Sequence, residues 1–331
     1  MKENYSAWDI DIDTLATPRD FIKAAVLAPS SHNSQPWSFK VVDDNTISIS
    51  VEPTRRLLES DKNDRQAIIS VGCAIANIEI LADYHGYTCA IENGRDGALA
   101  VLRFSKQGTT HLGDKNHLAN FMQKRVTNRS PHEDKHLDQG TLNTIQSRSP
   151  NSIRVDVVTD HAVVQQLGAV AIDAGIAALD DPGFRHELSS YLKSNSTRSS
   201  TGMPGFGLGF PAPMALLAPV LIWLFNMEKS AKKQNTALFE ETAGVLIIST
   251  KNDTKNDWLS VGQLYEHISL MSARVGMATA PLAAAIQIGK HYRDIQKILN
   301  ITERPQFFAR IGFPTKSIKH SPRLTSEKVI M

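Results

Sequence analysis

The sequence has 331 residues, of which 41% are hydrophobic and 21% are charged, a composition typical of a soluble globular protein with one or two domains. Its 36 lysine and arginine residues nearly balance its 34 aspartate and glutamate residues, which gives a formal net charge of +2. Such a balance excludes a strong overall field for nucleic acid or an anionic membrane, so any basic site must be local.

The two cysteines, Cys73 and Cys89, are too far apart for CxxC chemistry and lack the cysteine and histidine neighbours of a zinc site. We therefore expect a reduced protein without a metal. Residues 1–14 contain no apolar run that follows basic residues, so the sequence indicates neither a signal peptide nor a targeting presequence. The expected location is the cytoplasm.

The first predicted element is a short helix. Residues 17–20 (TPRD) combine an N-cap threonine, a proline at the first helical position and an acid at the capping-box position, and the apolar run FIKAAVLA follows. The helix should stop at Pro29, where a loop begins. Residues 38–42 and 46–51 then predict two short strands of a hairpin.

A long helix is predicted next. Residues 64–86 keep apolar side chains at helical spacing and end at Gly86, which is typical of a buried helix with a glycine after its last turn. The runs TCAI (88–91) and LAVLRF (99–104) predict two strands that close the first half.

The second half should begin near residue 116. Its predicted elements follow the chain: a helix at 117–124, a basic turn at 125–129, a helix near 137–145, a strand in SIRVDVV, two further helices, a buried strand at 243–250, and a long helix from about Trp258.

One segment of this half is uncharged. Residues 199–227 carry no formal charge and end in the 14-residue run MALLAPVLIWLFNM. That run is short of the roughly 20 residues that a spanning helix needs, and Pro204, Pro211 and Pro213 precede it. We therefore expect a buried helix or a lid rather than a membrane element, within an insertion over residues 180–234.

An internal repeat organises the chain. The tripeptide Ser70-Val71-Gly72 recurs as residues 260–262, at an offset of 190 positions, inside the second long helix. In each copy another glycine follows 14 positions after the first, at Gly86 and Gly276. The repeat predicts an α+β unit duplicated within one chain as a pseudo-dimer, with halves at 1–115 and 116–331.

Two short segments carry the chemistry. Residues 28–37 (APSSHNSQPW) resemble the APS-x-x-N-x-QPW loop of the nitroreductase family, and residues 125–129 (RVTNR) resemble its R-x-S-x-R/K phosphate motif, with Thr127 in place of serine. Residues 276–281 (GMATAP) are similar to the family segment that passes the flavin N5, and the tail 312–323 is similar to a further phosphate-binding segment. The resemblance is closest to the fused, two-copy Acg-like branch.

The resemblance implies one noncovalent FMN between the halves. The loop occurs only in the first half and the basic turn only in the second, whereas the corresponding positions hold the acidic stretch DIDIDTLATPRDF and the degenerate stretch 146–154. One complete site per chain is therefore expected. The implied roles are phosphate binding by Arg125, Thr127 and Arg323, contact with the pyrimidine edge by Arg129, and further flavin contacts by Pro29, Ser30, Ser31, Asn33, Pro281 and Ala283.

Each of these residues also has a structural interpretation. The arginines could be solvated surface charges, and the serines and Asn33 could satisfy the backbone of a turn. His32 lies at a variable position of the family motif, which favours a structural or solvent-facing role over an acid. Many active nitroreductases carry Glu-Gly shortly after the proline matched by Pro281, whereas this chain has residues 282–284 (LAA). No catalytic side chain is assigned.

The resemblance implies an oxidoreductase that takes a hydride from NAD(P)H and reduces a small electron-poor acceptor such as a nitroaromatic or a quinone. The alternative is a protein that sequesters or stores FMN without turnover. A membrane-apposed protein that uses residues 214–227 is the weaker third interpretation. We expect no nucleic-acid partner and a monomer or homodimer, and we favour a protein without a membrane partner over a membrane-bound one.

Overall fold

The computed structural model describes residues 3–150, 152–226 and 228–331. Asn151, which belongs to the degenerate stretch at 146–154, and Met227, which ends the apolar run, lie outside the described residues, as do Met1 and Lys2.

The first half of the chain forms a four-stranded antiparallel sheet with two helices. The strands lie in the order β1-β2-β4-β3. The hydroxyl of Thr17 accepts a hydrogen bond from the backbone N–H of Asp20, with Pro18 in the first turn, as the sequence predicts. The elements are α1 (Pro18–Ala25), β1 (Trp37–Asp43), β2 (Thr46–Val51), α2 (Arg65–Tyr84), β3 (Tyr87–Asn93) and β4 (Ala100–Lys106).

The second half forms another four-stranded antiparallel sheet, in the order β5-β8-β10-β9. Strands β6 and β7 form a separate short parallel pair. The elements are α3 (Gln139–Ser147), β5 (Ile153–Val158), α4 (His161–Asp180), α5 (Pro182–Tyr191), β6 (Leu192–Lys193), β7 (Met203–Pro204), α6 (Ala212–Leu224), α7 (Glu228–Glu240), β8 (Gly244–Thr250), α8 (Lys255–Arg274), β9 (Ala278–Pro281), α9 (Ala284–Gln287), α10 (His291–Leu299) and β10 (Arg304–Gly312).

The two sheets have the same topology. In each, the first two strands in chain order are neighbours, and the fourth strand lies between the second and the third. Helices α2 and α8 both have 20 residues, and their first and last residues differ by the same offset of 190 positions. The predicted α+β fold with a duplicated unit is thus confirmed.

The core lies between the sheets, where α2 packs against α8. Nearly every residue of α2 is buried, so its apolar composition serves the interior of the protein. Helices α2 and α4 are long and apolar enough to cross a membrane by length and composition alone; 89% of the apolar window in α2 and 39% of that in α4 are buried inside the structure. Core helices commonly meet such a test.

Two predicted boundaries differ from the structure. The helix expected at 117–124 is only a short 3-10 turn, Leu118–Phe121. Helix α8 begins at Lys255, earlier than Trp258, because Thr254 and Asp257 form a capping box. The capping residues lie outside the apolar pattern that predicts the helix, so the pattern alone predicts a first residue that is too late in the chain.

The expectation of a buried helix in the uncharged segment is wrong. Helix α6 packs on α5, β6 and the 3-10 turn Gly205–Leu208, and it buries only two small residues, Ala215 and Ala218. Its large side chains face outward. Because the helix is apolar on every side, the sequence pattern does not distinguish a buried face from an exposed one. The exposed residues are Met214, Leu216, Leu217, Val220, Leu221, Trp223 and Leu224, with Phe225 just beyond the helix.

Candidate functional site

The loop after α1 has an unusual backbone. Three of its non-glycine residues have positive φ: His32 at 51°, Asn33 at 54° and Gln35 at 55°. Each such residue costs free energy, and clusters of them occur where a structure holds a functional loop in shape. The backbone N–H of Gln35 donates to the Ser30 hydroxyl at 3.0 Å, and the Arg55 Nε donates to the Gln35 carbonyl at 2.8 Å. These contacts hold the loop in place.

The loop borders two adjoining cavities. The larger has a volume of about 250 Å³ and the smaller about 50 Å³. Four of the predicted site residues line both of them, namely Pro29, Ser30, Thr127 and Arg129. The loop of the first half and the basic turn of the second half therefore meet at one place.

The other six predicted site residues divide between the two cavities. The larger is lined by Ser31, Pro281 and Ala283. The smaller is lined by Asn33, Arg125 and Arg323.

Strand β9 aligns the basic turn with residues 278–281. Thr127 forms an isolated parallel bridge with Thr279, and the backbone N–H of Asn128 donates to the Thr279 carbonyl at 3.2 Å. Because β9 is the edge strand of its sheet, it can accept the turn as a neighbour. This pairing brings Pro281, two residues further along, to the wall of the larger cavity.

Two buried arginines give the smaller cavity a positive charge. Arg125 and Arg323 both donate to the Leu27 carbonyl, at 2.9 and 3.4 Å. Arg323 also donates to Asn33 Oδ1 at 2.6 Å. Burial and the neighbouring Arg125 lower the pKa of Arg323 to about 9, so it remains largely protonated at neutral pH. A cavity with two such guanidinium groups is suited to an anion.

Arg125 is more buried than the sequence implies, and it contacts a buried acid. It is 3% exposed, and its Nε lies 3.2 Å from Oε1 of Glu266, which is 0% exposed. This is an ionic contact without hydrogen-bond geometry, since neither carboxylate oxygen of Glu266 accepts a hydrogen bond from a described residue. Burial raises the pKa of Glu266 to about 7, against the opposing effect of Arg125. Among the described residues, Nη1 of Arg125 has no hydrogen-bond partner.

Arg129 is the cation that both cavities share. Within the described parts of the chain, its guanidinium makes no hydrogen bond or ion pair. It is half-buried, and burial lowers its pKa while the neighbouring Tyr265 opposes that shift. A half-buried arginine without a protein partner is costly unless a ligand or water satisfies it.

The wall of the larger cavity is mainly apolar. Tyr265 packs against Phe307 with the rings tilted by 36° and 4.0 Å between their centroids, and the Tyr265 hydroxyl lies 2.9 Å from the Thr279 hydroxyl. At Ala283 the backbone N–H has no acceptor among the described residues. Such a wall accommodates a flat, largely apolar ring with a few polar edge atoms.

The segment between β5 and β8 supplies part of the lining of both cavities. Phe184 of α5 lines the larger cavity, and Met203 and Pro204 line the smaller. The Asn33 amide donates to the Gly202 carbonyl at 3.0 Å and the Gln35 amide to the Ser200 carbonyl at 2.7 Å. The loop therefore binds the leading part of the predicted lid, whereas no residue of α6 lines either cavity.

His32 packs against aromatic residues. Its ring centroid lies 6.3 Å from that of Phe184 and 5.8 Å from that of Tyr191. Burial lowers the pKa of His32 to about 4, so the ring is neutral at physiological pH. These contacts fit a structural role in the wall of the larger cavity.

Sequence reasoning missed Trp8 and His320, which line the smaller cavity, and Glu266, which contacts Arg125. The Trp8 ring stacks on His320, with 4.0 Å between centroids, and the Arg323 guanidinium lies 5.0 Å from the Trp8 ring. No local motif marks Trp8 or His320, because the contact joins opposite ends of the chain. Glu266 did carry a signal: it is an acid one helical turn after Gly262, on the helix face that the repeat indicates as buried.

Comparisons with known proteins point to one family. A family model described as "Putative TM nitroreductase" matches residues 9–82. The chain is 26% identical over 308 residues to Uncharacterized protein Rv3127 of Mycobacterium tuberculosis, covering 88% of this chain and 86% of that protein. It is 24% identical over 316 residues to "Putative NAD(P)H nitroreductase acg" of the same species, covering 91% of each.

One solved structure supports the fold alone. A nitroreductase-like protein from Anabaena variabilis, described as "a putative nitroreductase", has a TM-score of 0.52 and 10% sequence identity, over 87% of this chain and 82% of that one. The fold, the motifs around the two cavities and the relatives matched over most of the chain agree. Over most of its length, the chain is similar to proteins named as putative nitroreductases, among them acg.

Proposed function

We propose that this chain binds one FMN across the two cavities and acts as an oxidoreductase between NAD(P)H and a small electron-poor acceptor. The observation that supports this most directly is the convergence of Arg125, Arg129 and Arg323 on the strained loop, with donor atoms that no described residue satisfies. The NAD(P)H nitroreductase name of the relative acg agrees with such an activity.

The smaller cavity would hold the phosphate. Arg125 offers Nη1, Thr127 offers a hydroxyl, and Arg323 has a buried Nε without a partner in the described structure. Charged donors of this kind bind phosphate oxygens more strongly than neutral ones, and two guanidinium groups match the charge of a phosphomonoester.

The larger cavity would hold the flavin ring. Arg129 would face its pyrimidine edge, where a cation stabilises the anionic reduced ring. The free N–H of Ala283 would serve in place of the Glu-Gly segment of other family members, because a backbone donor does not depend on the side chain. When bound, FMN supplies the capacity to accept a hydride from NAD(P)H and to pass electrons to an acceptor such as a nitroaromatic or a quinone.

The chain's own residues would position the reactants and exclude water. Phe184 and the segment 199–204 cover the cavities, and the apolar wall formed by Tyr265 and Phe307 disfavours solvent. No described side chain in the larger cavity is an obvious proton donor, since His32 is neutral and burial raises the pKa of the Tyr265 hydroxyl. The chemistry would therefore depend on the cofactor and on solvent protons.

A protein that sequesters FMN would use the same contacts. The segment 199–204, which Asn33 and Gln35 hold against the smaller cavity, favours that alternative, because it narrows the entry path of nicotinamide and acceptor. Binding and turnover therefore need separate measurements.

The first experiment measures stoichiometry. The purified protein is reconstituted with FMN, denatured, and the released flavin is quantified against protein. We expect one flavin per chain, because the loop and the basic turn each occur once. Two flavins per chain would refute the asymmetric site, and no bound flavin would refute the proposed function.

The second experiment is anaerobic stopped-flow mixing of the FMN-loaded protein with NADH or NADPH. Loss of the oxidised-flavin absorption band supports the oxidoreductase. Persistent colour with NAD(P)H, together with prompt bleaching by dithionite, would instead show a storage protein with an accessible flavin.

A further inference from the structure

Helix α6 presents an exposed apolar surface outside both cavities. Leu216 is 66% exposed and Trp223 is 48% exposed, and both lie among the exposed large side chains of residues 214–225. Soluble monomers rarely leave so many neighbouring large apolar side chains uncovered. An exposed surface of this kind marks an interaction site.

The angular width of this surface favours a lipid environment over a single protein partner. At 3.6 residues per turn, the exposed positions of α6 from Trp223 round to Met214 cover roughly 180° of the helix circumference, well above the roughly 100° apolar stripe that packs against one protein surface. Only Ala215 and Ala218 are fully buried against the rest of the protein. A lipid environment can surround such a helix, whereas a single flat partner covers one side of it.

A basic segment follows directly. Lys229, Lys232 and Lys233 are exposed in the first part of α7, and none forms an ion pair within the described structure. Glu228 is the only acid among residues 228–234, so that stretch has a net charge of +2 from three lysines and one glutamate. An apolar helix followed by lysines complements a membrane surface with anionic headgroups.

Trp223 lies near the junction of the apolar and the basic parts. Its ring centroid is 5.4 Å from that of His186 on α5, so the side chain has a polar neighbour on one side and solvent on the other. Tryptophan prefers the membrane interface for this combination of an apolar ring and a polar edge. With 13 residues, α6 is too short to span a bilayer but long enough to lie in its interface.

We propose that residues 212–226 and 228–233 dock the protein on an anionic lipid membrane, with α6 in the interface and the α7 lysines at the headgroups. The chain is peripheral in this arrangement, and its two sheets remain outside the bilayer. The inference does not depend on the proposed function, because no α6 residue lines either cavity.

The fluorescence of Trp223 measures contact between α6 and lipid directly. The other three tryptophans, Trp8, Trp37 and Trp258, are buried, so lipid contact should change the fluorescence of Trp223 alone. The protein is mixed with vesicles of phosphatidylcholine and phosphatidylglycerol that carry brominated or unmodified acyl chains. We expect quenching by the brominated lipid in the wild type and its loss in Trp223→Phe.

Cosedimentation with the same vesicles tests both parts of the surface. The combined substitution Leu216→Gln, Leu217→Gln and Leu224→Gln should abolish binding, whereas Val42→Gln with Leu58→Gln, two exposed apolar residues elsewhere, should not change it. Removing the three lysines as Lys229→Gln, Lys232→Gln and Lys233→Gln should weaken binding to anionic vesicles by a factor on the order of ten or more.

A charge-matched variant provides the control for the lysines. Lys251→Gln, Lys255→Gln and Lys290→Gln remove the same charge from exposed positions elsewhere and should leave vesicle binding unchanged.

Light scattering tests whether a second copy of the chain covers α6 instead of lipid. The proposal is overturned if the wild type binds neither the brominated nor the unmodified vesicles. It is also overturned if the wild type forms a dimer that does not bind lipid and that the leucine substitutions dissociate.

Discussion

Gly72 and Gly262 touch where α2 crosses α8. A Cβ on either glycine would lie 3.0 Å from the Cα of the other. It would also lie 2.2 Å from the Leu259 carbonyl oxygen in the case of Gly72, and 2.0 Å from the Ile69 carbonyl oxygen in the case of Gly262. The contact is reciprocal because both glycines and both carbonyls are related by the same offset of 190 positions.

Substitution of either glycine should destabilise the whole molecule. Gly72→Ala would require the two helix backbones to move apart in the centre of the core, so we expect a loss of about 1–3 kcal/mol or more in the free energy of unfolding. Urea denaturation measures this. The control is Gly175→Ala in α4, where an added Cβ meets no atom within 4 Å and alanine's higher helix propensity should help slightly. Equal stability of both variants would contradict the close crossing.

Arg125 should distinguish FMN from riboflavin. Arg125→Ala alone leaves Glu266 buried without a counter-charge, which destabilises the fold, so the informative variant is Arg125→Ala with Glu266→Gln. In that background we expect FMN binding to weaken by about 1.5–3 kcal/mol, the range for a hydrogen bond to a charged group. Riboflavin binding should barely change. Isothermal titration measures both, with Glu266→Gln alone as the matched reference. Equal losses for the two ligands would show that Arg125 does not hold a phosphate.

Glu266 should make stability depend on pH. Burial raises its pKa to about 7 in the folded protein from the ordinary value of 4.5, so the folded state keeps a proton that the unfolded chain releases. The contribution of Glu266 to stability is therefore lost as pH rises from about 4.5 through about 7. Asp61 and Glu79, whose pKa values burial raises to about 6 and about 7, act in the same direction.

Glu266→Gln isolates this contribution. Glutamine resembles the protonated acid, so the variant and the wild type should have similar stability at pH 5, and the variant should become relatively more stable as pH rises toward 8. Urea unfolding across that range measures the difference. A constant difference at all pH values would mean that Glu266 has the same pKa in the folded and unfolded chain.

The cover over the cavities should limit the rate of entry. Deleting residues 201–213 removes the Gly202 carbonyl that Asn33 contacts and the residues Met203, Pro204 and Gly207 that line the smaller cavity. We expect faster reduction by NAD(P)H, or faster turnover of an acceptor, with FMN still bound. A milder variant is Asn195→Ala, which loses its hydrogen bonds to Phe206 and Phe210 without shortening the chain. If both variants keep their flavin and both rates stay at the wild-type value, the segment is not a gate.

The sequence predicts the regular elements well because local signals determine them. The Thr17 cap, the glycines after both long helices and the buried run at β8 each act within a few residues, and the structure agrees with them. The repeat goes further, since it predicts two copies of one α+β unit at an offset of 190 positions. That Gly72 and Gly262 of the two copies pack against each other is seen only in the structure.

The sequence does not predict the electrostatic partners in the site. The pairing of Arg125 with Glu266 and the stacking of Trp8 on His320 depend on how distant segments fold together. The sequence also does not predict the orientation of α6, because an entirely apolar helix has no polar face to show which side meets solvent.

The loop at residues 28–37 and the turn at 125–129 belong to one polypeptide. A binding site divided between separate subunits is lost on dilution, because the subunits dissociate as their concentration falls. Here the two sides are permanently tethered, which fixes their effective concentration. Only unfolding can part them, so the fraction of sites filled should depend on the concentration of ligand and not on the number of protein copies, even at trace abundance in a cell.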